Sequence, residues 1–150
     1  MTLFRGRFEH VIDSKGRVSV PARFREVLQR HYGSEELVLT LYDSCVVAFP
    51  LEEWRQWEER MKDLPLLRRE TKKFFRYFFS GAIDSRVDDH GRLLIPASLR
   101  LQAHLQKEVL IVGMMRGFEI WDKGLWEEEM ARCRETFDEI SETVAEWMGF

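Results

Sequence analysis

Two stretches of the chain place a carboxylate four residues before an arginine. Residues 13–17 read Asp-Ser-Lys-Gly-Arg, and residues 88–92 read Asp-Asp-His-Gly-Arg. The glycine in each stretch allows a tight turn, in which the carboxylate can bond backbone N–H groups and fix the rotamer of the arginine. A fixed guanidinium presents a planar fork of donors to a phosphate or to a guanine edge. The simpler interpretation, an ion pair that only holds the turn, stays open because exposed pairs are common and weak.

These stretches belong to a longer internal repeat. Residues 13–25 return 75 positions later as residues 88–100, and six of the 13 paired residues are identical. Further pairs at offsets of 75 or 72 are Phe4 with Phe79, Gly6 with Gly81, and Trp54 with Trp126. Self-similarity at a fixed offset indicates a tandem duplication. The arginine turn is therefore a duplicated contact surface.

The first copy predicts two hairpins around one helix. Turn chemistry at 13–16 separates two short strand-like runs, Pro21 suits the first position of a helix, and Gly33 suits its C-terminal cap. The predicted elements are strands at 7–12 and 17–20, a helix from Pro21 to Gly33, and strands at 37–41 and 46–49.

The second copy predicts the same β-β-α-β-β order. Its elements are strands at 82–87 and 92–95, a helix from Pro96 to about 106, and strands at 108–113 and 118–121. Helices at 51–62 and 66–79 connect the copies, and a last helical stretch covers 124–148 with a candidate break at Phe137-Asp138. The predicted organisation is a first module at 5–49, connecting helices at 50–76, a second module at 77–121 and a C-terminal helical segment at 122–150.

Each module is too small to bury a core easily by itself. A module of about 45 residues is near the lower limit for independent folding. We therefore expect an α+β protein in which the two copies interleave their strands into one closed β-rich body, with helices outside as surfaces for neighbouring subunits. Phe137, Trp147 and Phe150 are expected either at such an interface or packed back on the chain's own core.

Charge is distributed unevenly along the chain. The net charge of −3 argues against a nucleic-acid partner, but residues 1–30 hold seven Arg or Lys against three acids. Residues 118–150 hold ten acids against three bases. This asymmetry separates a basic working end from an acidic end that favours solubility.

Several classes of protein are not indicated. No apolar run approaches the roughly 20 residues that span a bilayer, and Arg5 and Arg7 interrupt the start where a signal peptide would be apolar, so a cytoplasmic location is expected. The four histidines lack the spacing of metal ligands or of a general base. Cys45 and Cys133 stand alone, which predicts packing rather than a zinc site or a disulfide. The sequence therefore predicts neither an enzyme nor a cofactor.

A basic and aromatic segment lies in the second connecting helix. Phe74, Phe75 and Phe78 recur at helical spacing among five Arg or Lys between 68 and 76. Base stacking is one interpretation, but this spacing favours a buried aromatic stripe with a charged outer face.

The duplicated motif resembles that of a known family. Phe4-Arg5-Gly6, residues 13–25, Phe79-Ser80-Gly81-Ala82 and residues 91–100 are similar to the MraZ family of bacterial transcriptional regulators. Each copy resembles the SpoVT-AbrB swapped-hairpin module. The resemblance covers nearly the whole chain and implies a double swapped-hairpin β-barrel with flanking helices.

The resemblance also implies a function. Family members are repressors that act on the nucleoid, assemble as ring-shaped homo-oligomers and bind G-rich direct repeats in double-stranded promoter DNA. The regulated operon typically carries division and cell-wall genes together with the regulator's own gene. Carried over, the motif assigns DNA contact to Arg17 and Arg92, and support of the turns to Asp13, Gly16, Asp88 and Gly91.

Other basic residues of the first copy are candidates for contact with DNA. Phosphate contacts are expected from Arg5, Arg7, Lys15, Arg23 and Arg25, although Arg25 and its counterpart Arg100 have the simpler interpretation of solvated side chains. Because Ser14-Lys15 is replaced by Asp89-His90 in the second turn, Arg17 and Lys15 are expected to dominate binding.

The alternative to a DNA-binding function is a protein-binding or scaffold module of the antitoxin type, since related swapped-hairpin proteins hold a protein partner.

Overall fold

The computed structural model describes residues 3–149 as a mixed α+β protein. The strands are β1 Arg7–Val11, β2 Arg17–Ser19, β3 Glu36–Tyr42, β4 Cys45–Pro50, β5 Ile83–Arg86, β6 Arg92–Leu94, β7 Glu108–Gly113 and β8 Phe118–Asp122. The helices are α1 Ala22–Val27, α2 Leu51–Met61, α3 Arg69–Phe74, α4 Ala97–Gln102 and α5 Lys123–Met148. A π-helical turn extends α1 over Leu28–Tyr32 and α3 over Phe75–Phe79.

The two copies exchange strands, as the interleaved arrangement predicts. Six antiparallel strands form one sheet in the order β1-β7-β8-β4-β3-β5, and β2 pairs with β6 in a separate two-stranded ribbon. The first strand of each copy pairs with the third strand of the other: Phe8 lies opposite Ile111, and Ile83 lies opposite Leu39. These two pairs are equivalent under the sequence repeat, so the chain has an internal pseudo-two-fold symmetry.

The predicted hairpin between residues 7–12 and 17–20 is wrong in its pairing. The turn forms, because the Asp13 N–H donates to the Arg17 carbonyl at 2.9 Å. Beyond that bond the strands separate, since β1 joins β7 and β2 joins β6. The β3–β4 and β7–β8 hairpins do form as predicted. Exchanging the first hairpins lets two small modules share one core.

The pseudo-two-fold axis places the ribbon opposite the centre of the sheet. It passes through the pair Val18 and Leu93 in the ribbon and through the pair Val47 and Glu119 in the sheet. Between them lies the main core, to which the ribbon contributes the buried side chains of Val18 and Leu93. Phenylalanines fill its centre, with the rings of Phe4 and Phe24 5.2 Å apart and at 82°.

Helices α2 and α3 cover the other face of the sheet. Val38 on β3, Trp54 on α2 and Phe78 after α3 form a separate buried cluster. The rings of Phe74 and Phe78 stack at 5.0 Å, and Phe75 packs on the same cluster, so the favoured interpretation of an inward-facing aromatic stripe is confirmed for these three residues. Cys45, at the start of β4, is a buried free thiol that packs in a hydrophobic cluster, as a packing residue is expected to do, and it donates to the Tyr42 carbonyl at 3.3 Å.

Several helix boundaries differ from the prediction. Pro21 and Pro96 are the residues immediately before α1 and α4, and Gly33 ends the first helix at a φ of 63° as expected. Helix α4 ends at Gln102 rather than near 106, because His104 takes a φ of 55° and reverses the chain. The helix predicted from residue 66 begins at Arg69.

The C-terminal helix is unbroken, which corrects the candidate break at Phe137-Asp138. Residues 125–148 contain neither proline nor glycine, and the Asp122 carboxylate caps the helix by accepting the Leu125 N–H at 3.2 Å. Phe137 and Trp147 are 59% and 78% exposed, so they do not pack back on the core. Phe150 lies outside the described residues.

Candidate nucleic-acid interface

The two motif arginines lie on one face of the β2–β6 ribbon. Arg17 pairs with Leu94, and Arg92 pairs with Ser19. Side chains alternate across a strand, so the burial of Val18 on one face puts these four residues on the other. Arg17 and Arg92 are diagonal neighbours, which separates their Cα atoms by about 7–8 Å. The ribbon therefore presents two guanidinium groups side by side on its outer surface.

The first turn is fixed by Asp13. Its Oδ1 atom accepts the backbone N–H groups of Lys15 and Arg17, each at 2.9 Å, and its carbonyl accepts the Gly16 N–H at 3.0 Å. Gly16 has a φ of 88°, which a residue with a Cβ adopts only with strain. These bonds close a compact turn at the start of β2.

Asp13 also holds the side chain of Arg17. The Arg17 Nε–H donates to Asp13 Oδ2 at 2.8 Å. Because this bond uses Nε, both Nη groups stay available to a ligand, and the Arg17 side chain is 30% exposed. The backbone N–H of Arg17, its side chain and the N–H of Lys15 lower the pKa of Asp13 to about 2 against an opposing effect of desolvation. The carboxylate is therefore ionised at any physiological pH.

The second turn repeats the backbone of the first. Asp88 Oδ1 accepts the N–H groups of His90 at 2.8 Å and Arg92 at 2.9 Å, and Gly91 has a φ of 74°. The same backbone bond from Arg92 is the largest cause that lowers the pKa of Asp88. The Arg92 Nε lies 3.4 Å from Asp88 Oδ2, and among the described residues this buried Nε has no hydrogen-bond partner. The second arginine is thus held less tightly by its carboxylate.

Arg25 and Arg100 brace these turns across the pseudo-two-fold axis. A Cβ at Gly16 would lie 2.7 Å from the guanidinium carbon of Arg100, and a Cβ at Gly91 would lie 2.8 Å from an Nη atom of Arg25. The Nε–H of Arg100 donates to the Ile95 carbonyl at 2.9 Å, and that of Arg25 donates to the Val20 carbonyl at 3.2 Å. Each arginine thus lies on the glycine of the other copy's turn.

The remaining predicted contact residues are dispersed. Lys15 is exposed at the tip of the first turn, where the second copy has the exposed His90. Arg5 is exposed and lines a groove of about 430 Å³ with Arg23 and other residues of the first helix. The Arg7 guanidinium lies 5.1 Å from the ring centre of Trp126 on α5. The structure therefore brings Lys15 to the Arg17 turn and places Arg7 beside the C-terminal helix.

Sequence reasoning missed the bracing role of Arg25 and Arg100. The sequence predicts a phosphate contact for Arg25, with a solvated side chain as the alternative for both Arg25 and Arg100, whereas the structure half-buries both against the opposite copy. Their equivalence at an offset of 75 was the available signal. Only the exchange of strands shows that each one faces the other copy's turn.

Comparison with known proteins shows the family of this chain. A family model described as "MraZ protein, putative antitoxin-like" matches residues 3–76 and again residues 78–146. The chain belongs to the MraZ family. Relatives named transcriptional regulator MraZ include those of Caldanaerobacter subterraneus subsp. tengcongensis and Pediococcus pentosaceus. The first is 43% identical over 93% of this chain and 95% of the relative, and the second is 39% identical over 97% and 99%.

Because the relatives are named transcriptional regulators, the family membership confirms the expectation of a DNA-binding transcriptional regulator. Within the described residues, no three His, Cys, Asp or Glu side chains are grouped so that they could hold a metal ion. Over the same part of the chain, no helix has the length and apolar character needed to cross a membrane.

Proposed function

We propose that this MraZ-family chain is a repressor that reads G-rich direct repeats in promoter DNA through its β2–β6 ribbon. The observation that carries the proposal is the pair Arg17 and Arg92 on one exposed face, with Arg17 fixed by Asp13 through its Nε. A two-stranded ribbon fits the major groove of B-DNA, and an arginine bonded to O6 and N7 of guanine is the commonest specific contact there.

The proposal includes assembly into a ring of identical subunits. Rotation relates the subunits of a ring, so all of them present the ribbon in the same sense along the DNA, whereas a two-fold dimer matches a palindrome. Several weak contacts joined in one assembly also gain avidity. This allows a chain of net charge −3 to bind DNA through its locally basic edge.

The proposed target is the promoter of the division and cell-wall operon that contains the regulator's own gene, and the proposed location is the cytoplasm, on the nucleoid. Support comes from the family membership and from the two matched copies of the motif. Footprinting the region upstream of the chain's own coding sequence tests this target. Protection of tandem G-rich repeats is expected. A footprint without protection in this region would contradict the proposal.

Arg17→Ala tests the role of the ribbon. Loss of one bidentate base contact costs about 1–3 kcal/mol, so affinity for a duplex with G-rich repeats is expected to fall roughly 10- to 100-fold. Arg60→Ala, which removes an exposed arginine of α2, is the matched control and is expected to leave binding unchanged. Affinity of the unaltered protein is expected to fall steeply with salt.

Two results would contradict DNA reading by the ribbon. One is an Arg17→Ala protein that binds the duplex as tightly as the unaltered protein. The other is retention of a stoichiometric protein partner with no retention of DNA at low salt, which would favour the antitoxin-type module.

A further inference from the structure

A groove beside the first helix carries a local excess of positive charge. It lies between the segment that precedes β1 and one side of α1 with its π-helical extension, and its volume is about 430 Å³. Arg5 lines it from the segment, and Arg23, Arg30 and His31 line it from the helix. Among the residues that the structure describes, the lining holds one acid, Glu26. Three arginines against one glutamate give the groove a net charge of +2 when the histidine is neutral.

The positive charge of the groove is only partly neutralised by the protein. Arg30 Nη1 lies 3.2 Å from Glu26 Oε1, and these side chains are 81% and 55% exposed. Within residues 3–149, neither Arg5 nor Arg23 has a carboxylate at ion-pair distance. A guanidinium group donates two parallel hydrogen bonds to a phosphate. In this part of the chain, two guanidinium groups are available to an anionic ligand, and an exposed pair, which is weak, holds the third.

Apolar side chains line the same groove. Leu3, Phe24 and Val27 belong to its lining. Phe24 and Val27 are also part of the main core, which fixes their positions. Sites for small molecules have volumes of about 300–1,000 Å³ and combine apolar walls with a few convergent polar groups. The groove therefore suits an anion that also has an apolar or aromatic part.

The second copy shows that the fold does not require this cluster of arginines. At the offset of 75, neutral residues occupy the positions of the three arginines: Ser80, Ser98 and Leu105. The groove beside α4 is smaller, at about 290 Å³. Its lining includes Arg100, which already lies on Gly16 of the first turn. Because both copies build the same module, the basic groove is a property of the first copy alone.

The groove lies on the side of α1 that faces away from the second arginine turn. Arg23 and Val27 are four residues apart, so they share the side of α1 that lines the groove. Arg25 is two residues from each of them and lies on the opposite side, against Gly91 of the second turn. A ligand in the groove is therefore separated by the helix from the turn that presents Arg92.

We propose that this groove binds a small phosphorylated molecule with an apolar or aromatic body, of the nucleotide class. Its phosphates lie between Arg5, Arg23 and Arg30, and its body lies on Phe24 and Val27. This site goes beyond the DNA contact of the ribbon and does not depend on it. The phosphates of DNA share the same chemistry, so the experiments separate a free nucleotide from a duplex.

Titration calorimetry with ATP tests the site. The unaltered protein is expected to bind one ATP per chain, and Arg23→Ala/Arg30→Ala is expected to weaken binding by at least about 10-fold, because it removes two charged donors. Arg69→Ala/Arg76→Ala is the matched control, since it removes the same charge from exposed arginines of the α3 segment. Its affinity for ATP is expected to be unchanged. An unaltered protein that does not bind millimolar ATP, or equal losses in the two variants, overturns the proposal.

Two further titrations test the charge and the apolar floor. Glu26→Gln removes the acid of the groove and releases Arg30, so affinity for ATP is expected to rise about 2- to 5-fold. A weaker affinity in this variant would contradict the charge argument. Tripolyphosphate carries the phosphates without the nucleoside and is expected to bind less tightly than ATP. Equal affinities would show that the apolar floor makes no contact, and the assigned class of ligand would be wrong.

Binding of a promoter duplex separates this site from the ribbon. Arg17→Ala is expected to lose DNA affinity and to bind ATP as tightly as the unaltered protein. If Arg23→Ala/Arg30→Ala loses as much DNA affinity as Arg17→Ala, and the unaltered protein does not bind ATP, the groove holds a phosphate of DNA and the proposal is wrong. The failure of the nucleotide site and the failure of DNA reading are therefore measured separately.

Discussion

In the first arginine turn the Nε of Arg17 lies 2.8 Å from Asp13 Oδ2, whereas in the second turn the same atoms of Arg92 and Asp88 are 3.4 Å apart. The backbones of the turns are nearly the same, since each aspartate accepts two N–H groups at 2.8–2.9 Å. The duplication therefore keeps the turn and allows the side chains to diverge. A tightly held guanidinium with a lysine beside it suits sequence-specific contact with DNA bases. A loosely held guanidinium suits a supporting contact with the DNA.

The largest expected difference between the turns is in DNA affinity. Arg17→Ala is expected to lower affinity for G-rich repeats roughly 10- to 100-fold, and Arg92→Ala only about 3- to 10-fold, because the second arginine is less firmly positioned. Fluorescence anisotropy with one labelled duplex and both variants measures the ratio. Equal losses would show that the two copies read DNA alike.

Substitution of a turn glycine tests whether the arginine of the opposite copy stabilises that turn. Gly16→Ala is expected to destabilise the fold by about 1–3 kcal/mol through the strained positive φ, and to displace Arg100, whose guanidinium occupies the space of the new methyl group. Gly33→Ala is the control, because it has a φ of 63° but no atom within 4 Å of the new Cβ. Urea denaturation compares the free energies of unfolding. A Gly16→Ala cost no larger than that of Gly33→Ala would show that the Arg100 contact is unimportant.

Exchanging the turn sequences is expected to have a smaller effect. Asp89→Ser/His90→Lys gives the second turn the composition of the first, removes an acid and adds a base near the DNA. Affinity is expected to rise about 2- to 5-fold, with a salt dependence steeper by about one charge. A series of binding curves at increasing salt measures both. An unchanged slope would place the second turn away from the phosphates.

The smallest expected effect concerns acid pH. A carboxylate whose pKa is lower in the folded state stabilises the fold above the unfolded pKa of about 3.9, and that stabilisation is lost as the pH falls through the folded pKa. For Asp13 the window therefore lies between about pH 4 and its folded pKa of about 2. Carboxyl chemical shifts in NMR are expected to titrate at lower pH for Asp13 than for Asp88, because its bond to arginine is shorter. The reverse order would contradict the comparison of the turns.

Local chemistry in the sequence was sufficient to predict the turns and their main residues. The Asp-to-Arg spacing, the glycines at positive φ, the prolines before α1 and α4, and the inward-facing stripe of Phe74 and Phe78 all depend on residues close together in the chain. Such features involve bonds that span a few residues. Their geometry therefore hardly depends on what the distant chain does.

Tertiary structure alone decided which strands pair and what the bracing arginines contact. The strands of the two copies are so similar that the local sequence of β1 does not determine whether it pairs within its own copy or with the other copy. Only the shared core selects β7 as its partner. The exchange then turns Arg25 and Arg100 toward the opposite turn and puts Arg17 and Arg92 on one ribbon face. It also leaves Phe137 and Trp147 on α5 exposed, whereas the α3 segment covers α2. These outcomes depend on long-range burial, which no local pattern of residues contains.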